Sequence, residues 1–199
     1  MRVVQAINNT LHKLMSEYKD LIIIGEDILD PYGGAFKATK GLSTIYPKRV
    51  ITTPVSEESL IGFASGLAMQ KKPVIVEIMF GDFLGLAFDQ IINHISKFIW
   101  IFNDVSIPLI IRTPMGGGRG YGPTHSQSIE KHFCGISGLN VIAINQFMNI
   151  EKVYFNSMKS QKPVLLIENK ILYGRELKKD FKFPNHDKPD VTCVTYGGS

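Results

Sequence analysis

The chain has little cysteine: Cys134 and Cys193 are its only two, far apart and in no metal-ligand spacing. That excludes a disulfide scaffold and a cysteine-ligated metal site, and the absence of a signal peptide pattern points to a reducing cytoplasm. Long hydrophobic runs are missing too. No apolar stretch approaches the ~18 residues a membrane-spanning helix needs, so no membrane partner is expected. Charge of one sign is scarce: 22 basic against 18 acidic residues leave a formal +4. The locally basic run Lys178-Lys179-Asp180-Phe181-Lys182 reads as a solvated face, not a nucleic-acid patch. Internal repeats and low-complexity segments are absent.

What is present suits one α/β domain with a remainder. The chain has 199 residues, 44% of them apolar, enough for a sizeable core. The spacing of Val3, Val4, Ala6, Ile7, Leu11 and Leu14 predicts an amphipathic first helix. Leu21-Ile22-Ile23-Ile24, ended by Gly25, has the pattern of a strand buried on both faces. Further strands are predicted over 49–52, 74–78, 109–112, 140–144 and 164–168, with helices over 57–69, 83–98, 128–133 and 149–160. This alternation implies a mostly parallel sheet with helices on both faces. Residues 173–190 are charged, contain proline and lack periodicity, so they read as a linker. The β-branched run Val191-Thr192-Cys193-Val194-Thr195-Tyr196 beyond them reads as a strand.

Ligands of such sheets sit at the carboxyl ends of strands, where the chemistry-bearing residues fall. Glu26 follows the first strand, Glu57 the second, Met79 to Phe83 the third, and a glycine loop with His125 the fourth. That loop holds five glycines between residues 116 and 122. It lacks a following Lys-Ser or Lys-Thr, so it is a poor P-loop. Glu57 and Glu58 open a helix whose Gly62, Ala64, Gly66 and Ala68 make it narrow, as if it lay against another backbone or a flat ligand. Taken alone, either acid is an ordinary helix-start residue meeting the positive end of the dipole. Val55, Met79 and Phe83 alone would be core residues, His125 a loop histidine, and Glu26 a solvated acid in a strand-end turn.

Ordered blocks along the chain carry more. Gly25-Glu26-Asp27 precedes Tyr32-Gly33-Gly34-Ala35-Phe36-Lys37, Thr39-Lys40-Gly41-Leu42 and Arg49-Val50. Thr52-Thr53-Pro54-Val55-Ser56-Glu57-Glu58 follows, then Pro73-Val74, Glu77, Phe80, Asp82-Phe83 and Asp89-Gln90-Ile91. Arg112-Thr113-Pro114, Gly116-Gly117-Gly118-Arg119-Gly120, His125-Ser126-Gln127-Ser128, Gly138-Leu139-Asn140-Val141, Pro163-Val164 and Glu168 complete the series. In order and spacing this resembles the beta subunit of the decarboxylating component of 2-oxo acid dehydrogenase complexes, of the pyruvate dehydrogenase type.

The resemblance implies a transketolase-like domain over 1–172 that binds the pyrimidine end of thiamine diphosphate. It further implies that 173–199 are a linker and the first strand of a carboxyl-terminal domain whose remainder is absent. Glu57 would hydrogen-bond a pyrimidine ring nitrogen and favour the imino tautomer that deprotonates the thiazolium. Such a carboxyl group works best where water is restricted. His125 would serve in proton transfer and in passing the acyl group to a lipoyl carrier. Val55, Met79 and Phe83 would line the ring, with Glu26 nearby. The family's Gly-Asp-Gly motif for magnesium and diphosphate is absent, and Gly81-Asp82-Phe83 is no substitute for it. An alpha-type partner chain is therefore expected to hold the magnesium, with a lipoyl acyltransferase and a 2-oxo acid as further partners. Members also bind potassium through backbone carbonyls; the matching positions lie near Leu109, Ser157, Met158, Ser160 and Lys162, and Ser160 stands where an acidic residue is common. A split transketolase-like carbon–carbon enzyme and a catalytically silent assembly module are the alternatives.

Overall fold

The computed structural model describes residues 1–102 and 105–178. Six parallel strands form one sheet: β1 (Ile22–Gly25), β2 (Val50–Thr52), β3 (Val74–Glu77), β4 (Leu109–Met115), β5 (Asn140–Ile144) and β6 (Val164–Asn169), in the order β2-β1-β3-β4-β6-β5. The doubly covered parallel sheet expected from the alternation is the sheet observed. Adjacent apolar residues serve opposite layers. Ile23, Ile75, Ile110 and Leu166 belong to one core cluster, whereas Ile24, Val76, Ile111 and Leu165 belong to the other. Helices α1 (Val3–Glu17) and α5 (Ile150–Lys159) contribute to the first cluster; α3 (Glu57–Met69) and the segment from the π-helical turn Gln90–Ile95 into α4 (Ser96–Ile101) contribute to the second. Parallel strands buried on both faces need such continuous apolar runs. No helix among the described residues is long and apolar enough to cross a membrane.

Helix α1 forms because Val3, Ala6, Ile7, Leu11 and Leu14 fall on one face at helical spacing, and all are buried. In α5 the Asn149 side chain accepts the Lys152 N–H at 2.9 Å, an N-cap of the usual kind. Two expected helices change and one is added. The helix expected over 83–98 is a 3-10 turn at Gly81–Gly85, then the π-helical turn and α4, because the Leu86 and Ala87 N–H groups close on the carbonyls three residues back, Phe83 O at 3.0 Å and Leu84 O at 3.2 Å. The helix expected over 128–133 shrinks to the 3-10 turn Glu130–His132, anchored by the fully buried Phe133. A short α2 (Leu42–Ile45) had no recognised signal.

The segment read as a linker begins inside the fold. Tyr173 is 3% exposed, and Arg175 O accepts the Val3 N–H at 2.9 Å while Leu177 N–H donates to Met1 O at 3.0 Å. Charge and aperiodicity hid this docking, because single anchors rather than a periodic face make it. The rest of the expected linker, the strand over 191–196 and Cys193 lie outside the described residues.

Candidate functional site

The acidic side of the site is built where β1 and β2 end. Gly25 closes β1, and a Cβ there would lie 2.9 Å from the Glu77 carbonyl, so the strands approach too closely for a side chain. The next residue, Glu26, is 3% exposed and accepts the Ser56 backbone N–H at 3.1 Å. Burial pushes its carboxyl above the ordinary range; the charges of Glu57 and Asp27 add to this, and the Ser56 bond opposes it.

Glu57 is the first residue of α3 and only 4% exposed. Its burial follows from spacing: Glu57, Leu60, Ile61, Ala64, Ser65 and Ala68 form the inward stripe of the helix. Glu58 lies off that stripe and is exposed. The fold thereby separates two acids that the helix start alone left equivalent. Val55, two residues before Glu57, is 80% exposed, an unusual place for a valine. Thr53 Oγ1, on the same connection, is buried without a hydrogen-bond partner. The small residues of α3 divide in two. Ala64 and Ala68 face the core; a Cβ on Gly62 would meet Gln90 Oε1 at 3.4 Å; and Gly66 has open space over it within this chain.

The aromatic side is built where β3 and β4 end. Half-buried Met79 follows β3, and Phe80 and Phe83 then close around His125 at the end of the 3-10 turn Pro123–His125. The His125 ring lies 4.7 Å from Phe80 and 5.2 Å from Phe83, edge-on to both. A Cβ at Gly81 would fall 2.6 Å from Met115 Cε, so glycine is required for this turn to reach β4. Asp82 Oδ1 accepts the Gln127 N–H at 3.1 Å and ties the turn to the histidine loop. Phe36, carried by the loop that starts at Glu26, meets Phe80 at 5.6 Å and Tyr121 at 5.9 Å. That loop is what links the acidic and aromatic sides.

Behind the site lies a buried ionic network. Arg112 Nε and Nη2 donate to Glu168 at 3.0 and 2.5 Å, and its Nη1 donates to Glu77. The phenols of Tyr154 and Tyr173 also donate to Glu168. Burial raises the Glu77 carboxyl while the Arg112 charge pulls it down. Burial and then the Glu168 charge hold both phenols well above a tyrosine's ordinary value. Every member is at most 3% exposed, so the network belongs to the core and not to the reacting edge.

Each sequence-predicted residue therefore lies on one edge of the sheet: Glu26, Val55 and Glu57 on the acidic side, Met79, Phe83 and His125 on the aromatic side. Tyr121 and Lys170 went unnoticed. Lys170 had one available signal, a lysine set directly after an apolar strand. Around the expected potassium positions, Ser160 Oγ donates to Lys162 O at 2.8 Å and Ser157 Oγ to Val153 O at 2.8 Å. Among the described residues no group of three His, Cys, Asp or Glu is arranged to hold a metal ion.

Residues 1–176 match the family described as transketolase, pyrimidine binding domain. The chain belongs to that family. Its relatives within the wider group include three beta subunits. It is 33% identical to the acetoin:2,6-dichlorophenolindophenol oxidoreductase subunit beta of Cupriavidus necator, over 96% of this chain and 62% of that protein. It is 35% identical to the pyruvate dehydrogenase E1 component subunit beta of Staurastrum punctulatum, over 87% of this chain and 53% of that one. It is 33% identical to the 2-oxoisovalerate dehydrogenase subunit beta 2, mitochondrial, of Arabidopsis thaliana, over 99% and 58% respectively. This pyrimidine-binding-domain chain thus spans roughly half to two thirds of the length of these relatives, and the resemblance read from the ordered blocks is upheld. Among solved structures, a split gene transketolase, described as an inactive beta4 tetramer, superposes with a TM-score of 0.69 at 18% identity. It covers 92% of this chain and 56% of that one, and it shows the same fold.

Proposed function

We propose that the chain acts as the beta-type subunit of a thiamine-diphosphate-dependent 2-oxo acid dehydrogenase, supplying the pyrimidine half of a site shared with an alpha-type partner. One observation carries this: Glu57, alone of the two acids at the start of α3, is buried on the inward stripe, beside exposed Val55. A buried acid next to an uncovered apolar side chain and an unpaired Thr53 hydroxyl suits a flat heterocycle with a ring nitrogen.

The bound cofactor would supply a carbon nucleophile that adds to the 2-oxo acid and holds the electron pair released on decarboxylation. Glu57 holds a hydrogen bond at the pyrimidine ring nitrogen, in a surround from which water is partly excluded. Val55, Met79 and Phe83 keep the ring face dry. His125, held edge-on by Phe80 and Phe83, moves the proton that accompanies acyl transfer to a lipoyl group. Magnesium and the diphosphate are assigned to the alpha-type chain, and the lipoyl acyltransferase receives the acyl group. A potassium ion at the Leu109, Ser157, Met158, Ser160 and Lys162 positions, a reducing cytoplasmic setting and a further carboxyl-terminal domain beginning near residue 191 belong to the same proposal.

Calorimetry tests it. Thiamine diphosphate with magnesium is titrated into this chain, into its alpha-type partner and into the mixture, with Glu57→Ala as the comparison. Saturable binding in the mixture alone, abolished together with 2-oxo acid turnover by Glu57→Ala, is the expected result. No binding in any combination would reduce the chain to an assembly module. Binding with carbon–carbon transfer but no lipoyl-linked turnover would point to a transketolase-like enzyme.

A further inference from the structure

Lys170 is fully buried directly after β6, where its own N–H donates to Met115 O at 2.9 Å. Its ammonium donates to the backbone carbonyl of His125. It also lies over the faces of Phe80 and Tyr121, 5.0 and 5.4 Å from their centroids. Phe80 is the ring that touches His125 most closely, and Tyr121 packs on Phe80 at 5.7 Å. One cation therefore meets the histidine's own carbonyl and the ring that walls its imidazole.

The loop leading to His125 supplies little stiffness of its own. Gly116, Gly118, Gly120 and Gly122 all adopt positive φ, between 76° and 95°, and nothing lies over Gly120 or Gly122. Such a loop fixes a side chain only through external ties. The Gln127 N–H to Asp82 bond is one, at 3.1 Å; the Arg119 Nη1 bond to Lys170 O, at 3.3 Å, is another; Thr124 Oγ1 meets His125 Nδ1 at 2.9 Å within the loop itself. Lys170 is the tie rooted in the sheet that ends on His125. Burying an ammonium is costly unless polar and aromatic partners compensate it, so a lysine serving only as filler would be a poor choice over methionine. Burial indeed lowers the Lys170 pKa, with Asp82 opposing that shift and Arg119 reinforcing it.

We infer that Lys170 is the positioning residue for His125, setting the histidine's place against Phe80 and Phe83 from beneath the glycine loop. The inference rests on the proposed dehydrogenase activity for its kinetic consequence but not for its structural one. The test uses the complex with the alpha-type partner, carrying Lys170→Met, Lys170→Gln or Lys170→Arg. Hydrogen exchange is followed in peptides covering residues 116–128, beside turnover coupled to a lipoyl domain and turnover coupled to a dye acceptor.

In Lys170→Met and Lys170→Gln, exchange across 116–128 is expected to speed up by about tenfold or more, as loss of a charge-assisted hydrogen bond implies. Lipoyl-coupled kcat should fall about tenfold or more, with dye-coupled turnover and the KM for the 2-oxo acid within about twofold. Lys170→Arg should restore most of both. Unchanged exchange in this loop, or a parallel fall of both activities with a lowered melting temperature, would overturn the inference. Should one variant not fold, the other two decide. A wild-type complex without lipoyl-coupled turnover would instead overturn the proposed function, and exchange alone would then judge Lys170.

Discussion

Glu26 accepts the backbone N–H of Ser56 at 3.1 Å, so the turn after β1 is bonded to the residue that precedes α3. The contact brings a second buried carboxylate to the start of the helix that carries Glu57. Burial first, and the Glu57 charge second, raise the folded pKa of Glu26 above its ordinary 4.5. Below the unfolded value Glu26 is protonated in both states and costs nothing. As pH rises through the raised folded value, ionisation in the folded chain becomes the harder of the two, and stability falls. Glu26→Gln should therefore raise the melting temperature at neutral pH and lose that advantage near pH 4 to 5. A melting series across that range checks it; an advantage that grows on acidification would contradict the sign.

Glu57→Gln keeps the shape of the buried acid and removes its ionisable proton. Turnover with the alpha-type partner should drop by roughly 10²–10⁴, the usual worth of a positioned acid or base. The melting temperature should be unchanged or higher, because the amide fills the same buried place without an ionisable group. Turnover and melting measured on the same preparation separate this from simple unfolding.

Arg112→Met should be severely destabilising. It leaves Glu77 and Glu168, both at most 2% exposed, facing each other without their cation. Breaking a buried pair in this way costs about 3–5 kcal/mol, to be read from urea unfolding. A loss under about 1 kcal/mol, the range of exposed ion pairs, would show that the network is not what holds this layer.

Asp30 should govern acid tolerance of the loop after β1. The Gly41 N–H at 2.7 Å leads the bonds that lower its pKa, with the Thr44 and Ser43 hydroxyls at 2.7 and 2.8 Å. Together they take it from 3.8 to about 2. With the folded value below the unfolded one, its stabilisation is complete above the unfolded value and disappears as pH falls towards the folded one. The melting-temperature gap between wild type and Asp30→Ala should be widest above about pH 5 and nearly closed at about pH 2.

Much of this was legible from residue spacing. Helix α3 has the bounds expected from its acids and apolar stripe, and β5 those expected from its β-branched run. Periodicity works where one continuous face is buried. It failed over 83–98, where 3-10 and π-helical turns alternate within an apolar stretch that reads as one α-helix, and over 128–133, where one phenylalanine does the anchoring. At the site, strand ends located Glu26, Glu57, Phe83 and His125 because chain order alone brings them to one edge of a parallel sheet. Lys170 and Tyr173 escaped because their positions depend on partners 45 and 61 residues away, His125 for one and Arg112 for the other. Only the folded chain brings such partners together.

The alternation of the strands gives Arg112 a second significance. Residues on both faces of β1, β3, β4 and β6 are similarly oily, so shifting a strand by one position would exchange one greasy set for another with little to penalise the error. Arg112 breaks that degeneracy. It pairs directly across from Glu77 on β3, and it lies opposite Leu166, two residues short of Glu168 on β6. A one-residue slip would carry its guanidinium through to the other layer and leave the carboxylates behind. The charged trio thus acts as a proofreading mark for the pairing of the three central strands, and a chain without it would be the first to sample misaligned sheets while folding.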